Sequence, residues 1–261
     1  MNTLLLILRY IKYLFTAESK HGLHSPFVFD LHTKVISSKK IDRNCLKIEK
    51  LRKELCLSED VVEITDLGAG STINNTKKRL VKDIAKNSAK SAKFGQLLYR
   101  LIQHFEPKNI VELGTSLGIS ANYLGGANSN GKVYTLEGCP NTAEKAKENI
   151  KSLDFDNIEV IVGDFKDTLT PTLNKIKKLD FGFLDGNHQK QPTIDYFEEC
   201  LKYIDKNSVL VFDDIHWSTG MEEAWEHIKN HPKVFVSIDL FFVGLVFFND
   251  TQRKEHFKIR F

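Results

Sequence analysis

Asn109-Ile110-Val111-Glu112-Leu113-Gly114-Thr115-Ser116-Leu117-Gly118-Ile119-Ser120 reads as a buried strand that runs into a glycine turn. A second apolar run, Val133-Tyr134-Thr135-Leu136, ends in an acid, Glu137, followed by Gly138. Glycines at a strand end let backbone pass close to a ligand where a helix N-terminus begins. An acid ending the next strand can accept both hydroxyls of a ribose. Together the two segments predict a nucleoside pocket at the carboxyl edge of a parallel sheet.

The sequence on either side supports that reading. Phe94, Leu98, Leu101 and Phe105 fall at helical spacing, and Glu106-Pro107 ends that helix. Five apolar strands then alternate with helices: Ile110–Leu113, Val133–Leu136, Ile158–Val162, Phe181–Leu184 and Val209–Phe212. The helices include Thr142–Leu153, Thr193–Ile204 and one starting near Ser218, where Thr219 and Glu222 have capping-box spacing. Such alternation means right-handed βαβ units and a parallel sheet. Val234–Leu240 and Val243–Phe248 have little between them and require an antiparallel hairpin. His256–Phe261 alternates and suits a further edge strand. The expected fold is α/β, a Rossmann-like doubly wound, mostly parallel seven-stranded sheet ending in an antiparallel hairpin. Residues 1–87 lack this rhythm and read as an N-terminal, mainly helical cap or dimer surface on a domain over 88–261.

With 261 residues, 41% apolar and 27% charged, the chain has the composition of an ordinary soluble protein. Its net charge of +3 offers no electrostatic case for a nucleic-acid partner, and Lys77-Lys78-Arg79 is too short a run to change that. The four cysteines, Cys45, Cys56, Cys139 and Cys200, have no paired spacing, which fits a reducing cytoplasm without disulfides or zinc. Leu4-Leu5-Leu6-Ile7-Leu8, interrupted by Arg9 and Lys12, is too short to span a bilayer.

A dinucleotide fingerprint needs G-x-G-x-x-G, but here Gly114 and Gly118 lack the middle glycine on which a pyrophosphate would lie. S-adenosylmethionine has no phosphate and does not need it. The fourth strand ends in Leu184-Asp185-Gly186-Asn187-His188, and the fifth in Phe212-Asp213-Asp214-Ile215-His216-Trp217. Three carboxylates at neighbouring strand ends repel one another unless protonated or neutralised by a cation. Hard oxygen ligands of this kind suit Mg²⁺, Ca²⁺ or Mn²⁺.

The glycine turn resembles motif I of the class I S-adenosylmethionine-dependent methyltransferases, whose fold also ends in an antiparallel hairpin. The acids after the fourth and fifth strands resemble the metal-dependent catechol O-methyltransferase group, as does the helix segment Ser91-Ala92-Lys93-Phe94-Gly95-Gln96-Leu97-Leu98. The resemblance covers roughly residues 88–248. It implies a cofactor site of Glu112, Gly114, Ser116, Gly118, Ser120, Glu137, Gly138 and Asp185, with Asp164 and Phe165 at the adenine. It also implies metal ligands Asp185, Asp213 and Asp214. Two positions depart from the group: Asp214 stands where an Asn is usual, and His188 where the catalytic Lys lies.

The implied chemistry is methylation of a hydroxyl on a small-molecule acceptor, with Asp185 catalytic and His188, whose ordinary pKa is near 6.5, taking the proton. No Asn-Pro-Pro-Tyr or Asp-Pro-Pro-Tyr follows the fourth strand, which disfavours nucleobase or glutamine methylation. An NAD- or nucleotide-sugar-binding oxidoreductase and a methyltransferase fold without catalysis are the alternatives. Asp66-Leu67-Gly68-Ala69-Gly70-Ser71 imitates motif I and reads as a turn of the cap or a lid loop. His21 to Phe27, with His24, reads as a packed connector.

Overall fold

The computed structural model describes residues 3–19, 22–64, 78–87 and 91–261. The glycine turn at 66–71, Lys77 and His21 therefore lie outside the described residues. Two compact units divide the chain: one joins Met1–Ser38 to Lys177–Phe261, the other is Lys39–Ile176. This division cuts across the boundary expected at residue 87. Helices before residue 39 group with the C-terminal part of the chain, and the described residues from 39 to 87 with the 109–120 segment.

In the Lys39–Ile176 unit, helix α3 (Arg43–Leu55) precedes a small antiparallel hairpin of β1 (Val61–Glu63) and β2 (Lys78–Leu80). Helices α4 (Val81–Asn87) and α5 (Ala92–Phe105) follow. Ser91 caps α5, its hydroxyl accepting from the Phe94 amide, and Glu106 ends it in the left-handed conformation at φ 46°. Then come β3 (Asn109–Leu113), α6 (Ile119–Ala127), β4 (Lys132–Glu137), α7 (Pro140–Ser152), β5 (Ile158–Val162) and α8 (Phe165–Ile176). β3 pairs in parallel with β4, and β4 with β5, so Gly114 and Glu137 emerge at the same edge. Gly95 lies against the Tyr123 ring, where a Cβ would come within 2.2 Å of a ring carbon, so α5 approaches α6 only because position 95 is glycine.

In the other unit, α1 (Thr3–Thr16) leads through a connector to α2 (Pro26–Leu31), continued by a π-helical turn at 32–36. Ser25, buried, caps α2 and Pro26 occupies its first turn, while His24 before them is exposed. After residue 177 come β6 (Phe181–Leu184), α9 (Lys190–Cys200), β7 (Val209–Asp213), α10 (Thr219–Asn230), β8 (Val236–Asp239), β9 (Val243–Phe247) and β10 (Glu255–Lys258). β6 and β7 are parallel, whereas β9 runs antiparallel to both β7 and β8, the hairpin expected from the sequence. β10 adds a parallel edge to β8, one strand beyond the seven expected. Every residue of β6, β7, β8 and β9 is buried, as in strands covered on both faces. The N-cap of α10 is Ser218 rather than Thr219: its hydroxyl accepts from the Met221 amide.

Candidate functional site

The turn after β3 is built by three consecutive reversals of backbone hand: φ is 96° at Gly114, 49° at Ser116 and 78° at Gly118. The amides of Gly114 and Thr115 still donate to the Leu136 carbonyl, at 2.9 and 3.2 Å, so the bend opens while the β4 ladder holds. Glu137, at the end of β4, closes it. One carboxylate oxygen accepts from the Ser116 amide at 2.8 Å and the other from the Cys139 amide at 2.9 Å. A carboxylate oxygen can accept two hydrogen bonds, so these amides orient Glu137 without exhausting its acceptor capacity. The sequence shows an acid at the right place; that the bend itself grips the acid emerges only in three dimensions.

Other residues expected at this site divide by what they touch. Glu112 is fully buried and its Oε2 accepts from the Thr135 hydroxyl at 2.5 Å, while Thr135 and Thr115 share a 2.6 Å hydrogen bond. It braces the two strand ends from within. Gly118 caps α6, and a side chain there would meet Ala146 and Ile150 of α7 at 3.3–3.4 Å. Its glycine is explained by a left-handed φ and a close helix contact. Ser120 is buried in the first turn of α6, and Gly138 forms the short turn between Glu137 and Cys139. Asp164 caps α8: its Oδ1 accepts from the Lys166 amide at 3.0 Å and its carbonyl from the Thr168 amide at 3.0 Å. Phe165, half-buried, begins that helix. The hairpin strand β1, which no sequence pattern connects to this region, braces the start of α7 through Asn141 Nδ2 donating to the Glu63 carbonyl at 2.9 Å.

The second cluster lies in the other unit. Asp185, His188 and Asp213 bring one ligand atom each within 4.8 Å of one another, the one such group of three found among the described residues. His188 Nε2 is 3.5 Å from Asp185 Oδ1, and its Nδ1 is 3.9 Å from Asp214 Oδ2. The sequence expectation named Asp185, Asp213 and Asp214; the group of three contains Asp185 and Asp213 with His188. Asp213 is the last residue of β7 and is 3% exposed. Asp214, the next residue, takes a left-handed φ of 52°. Asn187, also left-handed at φ 62°, has a side-chain oxygen that is buried without a hydrogen-bond partner.

Two carboxylates, an imidazole nitrogen and a neighbouring amide oxygen fit a divalent ion by donor chemistry. The nitrogen widens the choice from Mg²⁺ and Ca²⁺ toward Mn²⁺ and other first-row ions. Sequence reasoning missed the network around His216, which lines one cavity together with Asp214. His216 holds Glu222 Oε1 on Nδ1 at 3.0 Å and Asp239 Oδ2 on Nε2 at 2.9 Å, and it stacks on Phe241 at 5.1 Å. Arg9 of α1 pairs with Glu222 at 2.8 Å. The sequence placed His216 only two residues after Asp214; its partners are distant in the chain. A cavity of about 10 Å³ lies here, lined by Leu6, Asp214, His216, Trp217, Phe241 and Phe242.

Comparison with known proteins bears on both regions. Residues 111–215 match the family model of a methyltransferase domain. The chain is 31% identical over 169 residues to the O-methyltransferase imqG of Aspergillus flavus, a match covering 62% of this chain and 66% of that protein. It is 33% identical over 129 residues to a catechol O-methyltransferase of Mycobacterium tuberculosis, covering 49% of this chain and 57% of that one. The chain thus spans just under two thirds of the first relative's length and less of the second's. The O-methyltransferase from Bacillus cereus, solved in complex with SAH, superposes with a TM-score of 0.56 at 22% identity, over 83% of this chain and 94% of that one. At that identity the likeness concerns the fold, a mostly parallel Rossmann-like sheet with helices on both sides.

Proposed function

We propose that this chain, whose residues 111–215 match a methyltransferase domain, transfers the methyl group of S-adenosylmethionine to a hydroxyl of a small molecule. The observation that supports this most is the grip of the 114–118 bend on Glu137. The bend presents backbone and one oriented carboxylate, with no glycine nest for a pyrophosphate, which suits an uncharged link between ribose and sulfur. In this reading Glu137 accepts the ribose hydroxyls, Gly114 and Ser116 supply the close backbone, and Asp164 and Phe165 meet the adenine. Glu112, Gly118 and Ser120 shape the site from behind, and Gly138 gives Glu137 its turn.

Asp185, Asp213 and His188 would hold a divalent ion, with Asn187 Oδ1 as a further oxygen donor. Such an ion lowers the pKa of a hydroxyl bound to it and fixes its direction. The protein's own part is to set two acids at the ends of paired strands, with Asp214 Oδ2 3.9 Å from the imidazole Nδ1. A second reading follows from His188 lying between Asp185 and Asp214: it is then the base that takes the hydroxyl proton, oriented by the acids on either side. No helix among the described residues is long and apolar enough to cross a membrane, and the four cysteines are free thiols. We place the protein in the cytoplasm.

The test is turnover of labelled S-adenosylmethionine against a panel of small phenols and vicinal diols, with and without Mg²⁺ or Mn²⁺ and after chelation. A methyl ether as product, with turnover lost on chelation, is expected. A methyl ester or methylamine as product would reassign the acceptor. Chelator-resistant turnover that fails in His188→Ala would favour the second reading.

A further inference from the structure

Helix α1 is held to its own unit by one face. Arg9 reaches Glu222 and donates to Thr219 Oγ1 at 3.0 Å, the Tyr13 hydroxyl donates to the Ile259 carbonyl, and Arg260 donates to the Leu14 carbonyl at 2.9 Å. Tyr10 meets Phe241 edge-on at 4.8 Å. The opposite face is apolar and open to solvent: Leu4 is 62% exposed, Leu8 53% and Phe15 86%, with Ile7, Ile11 and Leu14 beside them. The exposed ring of Phe242, 6.2 Å from that of Tyr10, extends the patch.

We propose that this outward face of α1 is the contact between two copies of the chain, packed helix against helix about a two-fold axis. Three observations favour a second copy. Leu4, Leu8, Ile11 and Phe15 follow 4-3-4 spacing, a stripe one helix wide, and such a stripe is complementary to itself under two-fold symmetry. At their fractional exposures these side chains leave on the order of 700 Å² of apolar surface on one copy. That exceeds the roughly 300–600 Å² of the largest patch on a typical monomer and approaches the roughly 800 Å² per partner of a standard interface. Finally, a helix that lies on a lipid surface turns its basic residues to the headgroups. Here Arg9 is committed to Glu222 and Thr219 on the docked face, which leaves Lys12 as the exposed basic residue of α1. Leu6, on the docked face of the same helix, packs with Tyr13 and Phe241 and so takes no part in this contact.

Sedimentation equilibrium of the full chain tests this, with a parallel pull-down on phosphatidylglycerol vesicles. Wild type is expected at twice the 29.9 kDa of one chain at micromolar concentration, without vesicle binding. Leu8→Glu with Ile11→Glu buries charge in the contact and is expected to raise the dimer Kd about a hundredfold. Circular dichroism should show unchanged helix, because both positions are solvent-facing in one copy. The milder pair Leu8→Ala with Phe15→Ala should weaken the dimer in the same direction if the charged variant does not fold. A wild-type monomer, a dimer indifferent to both variants, or a monomer that binds vesicles would each overturn the proposal.

Discussion

The bend that ends at Glu137 and the cluster around His188 both place acids at the carboxyl ends of strands, yet they treat them in opposite ways. Glu137 is satisfied by its own chain: each oxygen takes a backbone amide, so under the proposed function stability and ligand binding would act through one side chain. At the other cluster, Asp185 and Asp213 converge on one imidazole, with Asp213 almost wholly buried. Like charges held together raise the folding cost, which a cation or a protonated imidazole offsets. The lesson is that a site for an invariant cosubstrate can be built from backbone and still stabilise the fold. A site that activates an acceptor stores electrostatic strain instead.

The sharpest way to break this contrast is Asp213→Asn. Turnover should fall about a thousandfold, the scale of losing a preorganised charge at a reacting centre. The melting temperature should nevertheless hold or rise, by about 2–4 °C if roughly 1 kcal/mol of repulsion is relieved. A large fall in melting temperature would show that the cluster stabilises the fold after all.

Glu137→Ala should behave in the other sense, losing affinity and stability together. Two charge-assisted bonds to ribose hydroxyls at about 1.5–3 kcal/mol each predict at least a hundredfold weaker S-adenosylhomocysteine binding by calorimetry. The freed Ser116 and Cys139 amides should also lower the melting temperature in the same sample.

Gly118→Val separates packing from ligand approach within the bend. The left-handed φ and the 3.3–3.4 Å approach to α7 predict a loss of about 2–3 kcal/mol in urea unfolding. Affinity of the folded fraction for S-adenosylhomocysteine should change by less than that of Glu137→Ala.

The smallest effect expected concerns acid stability. Burial against Phe197 holds the His231 pKa below its ordinary value, helped by His227, Lys233 and Lys254. Its Nδ1 accepts from the Lys233 amide at 3.2 Å, a bond the protonated ring cannot make. A depressed folded pKa means the unfolded chain binds more protons, so this contribution is present above about pH 6.5 and lost as pH falls below it. His231→Gln should flatten the melting temperature between about pH 7 and 5 relative to wild type.

The strands were legible because each is a short apolar run bounded by turn residues, and β3 through β9 fall within a residue or two of where the pattern puts them. β10 was visible as an alternation, though its pairing with β8 was not. The β1–β2 hairpin was not legible: three-residue strands carry too little periodicity. In the site, position alone showed that an acid, Glu137, ends a strand, while the two amides it accepts are set by the bend. The left-handed φ that Asp214 takes directly after Asp213 has no signature in the sequence. Glu112 and Gly118 matched a motif, but burial and packing against α7 decide what they do. The support of His216 by Glu222 and Asp239 was out of reach, since those partners are set by tertiary contacts.

The most direct measurement is calorimetric titration of the wild-type chain with S-adenosylhomocysteine and, separately, with NAD. Saturable one-to-one binding of the first and none of the second is the result this account requires. Binding of NAD, or silence toward S-adenosylhomocysteine in a folded sample, would contradict it.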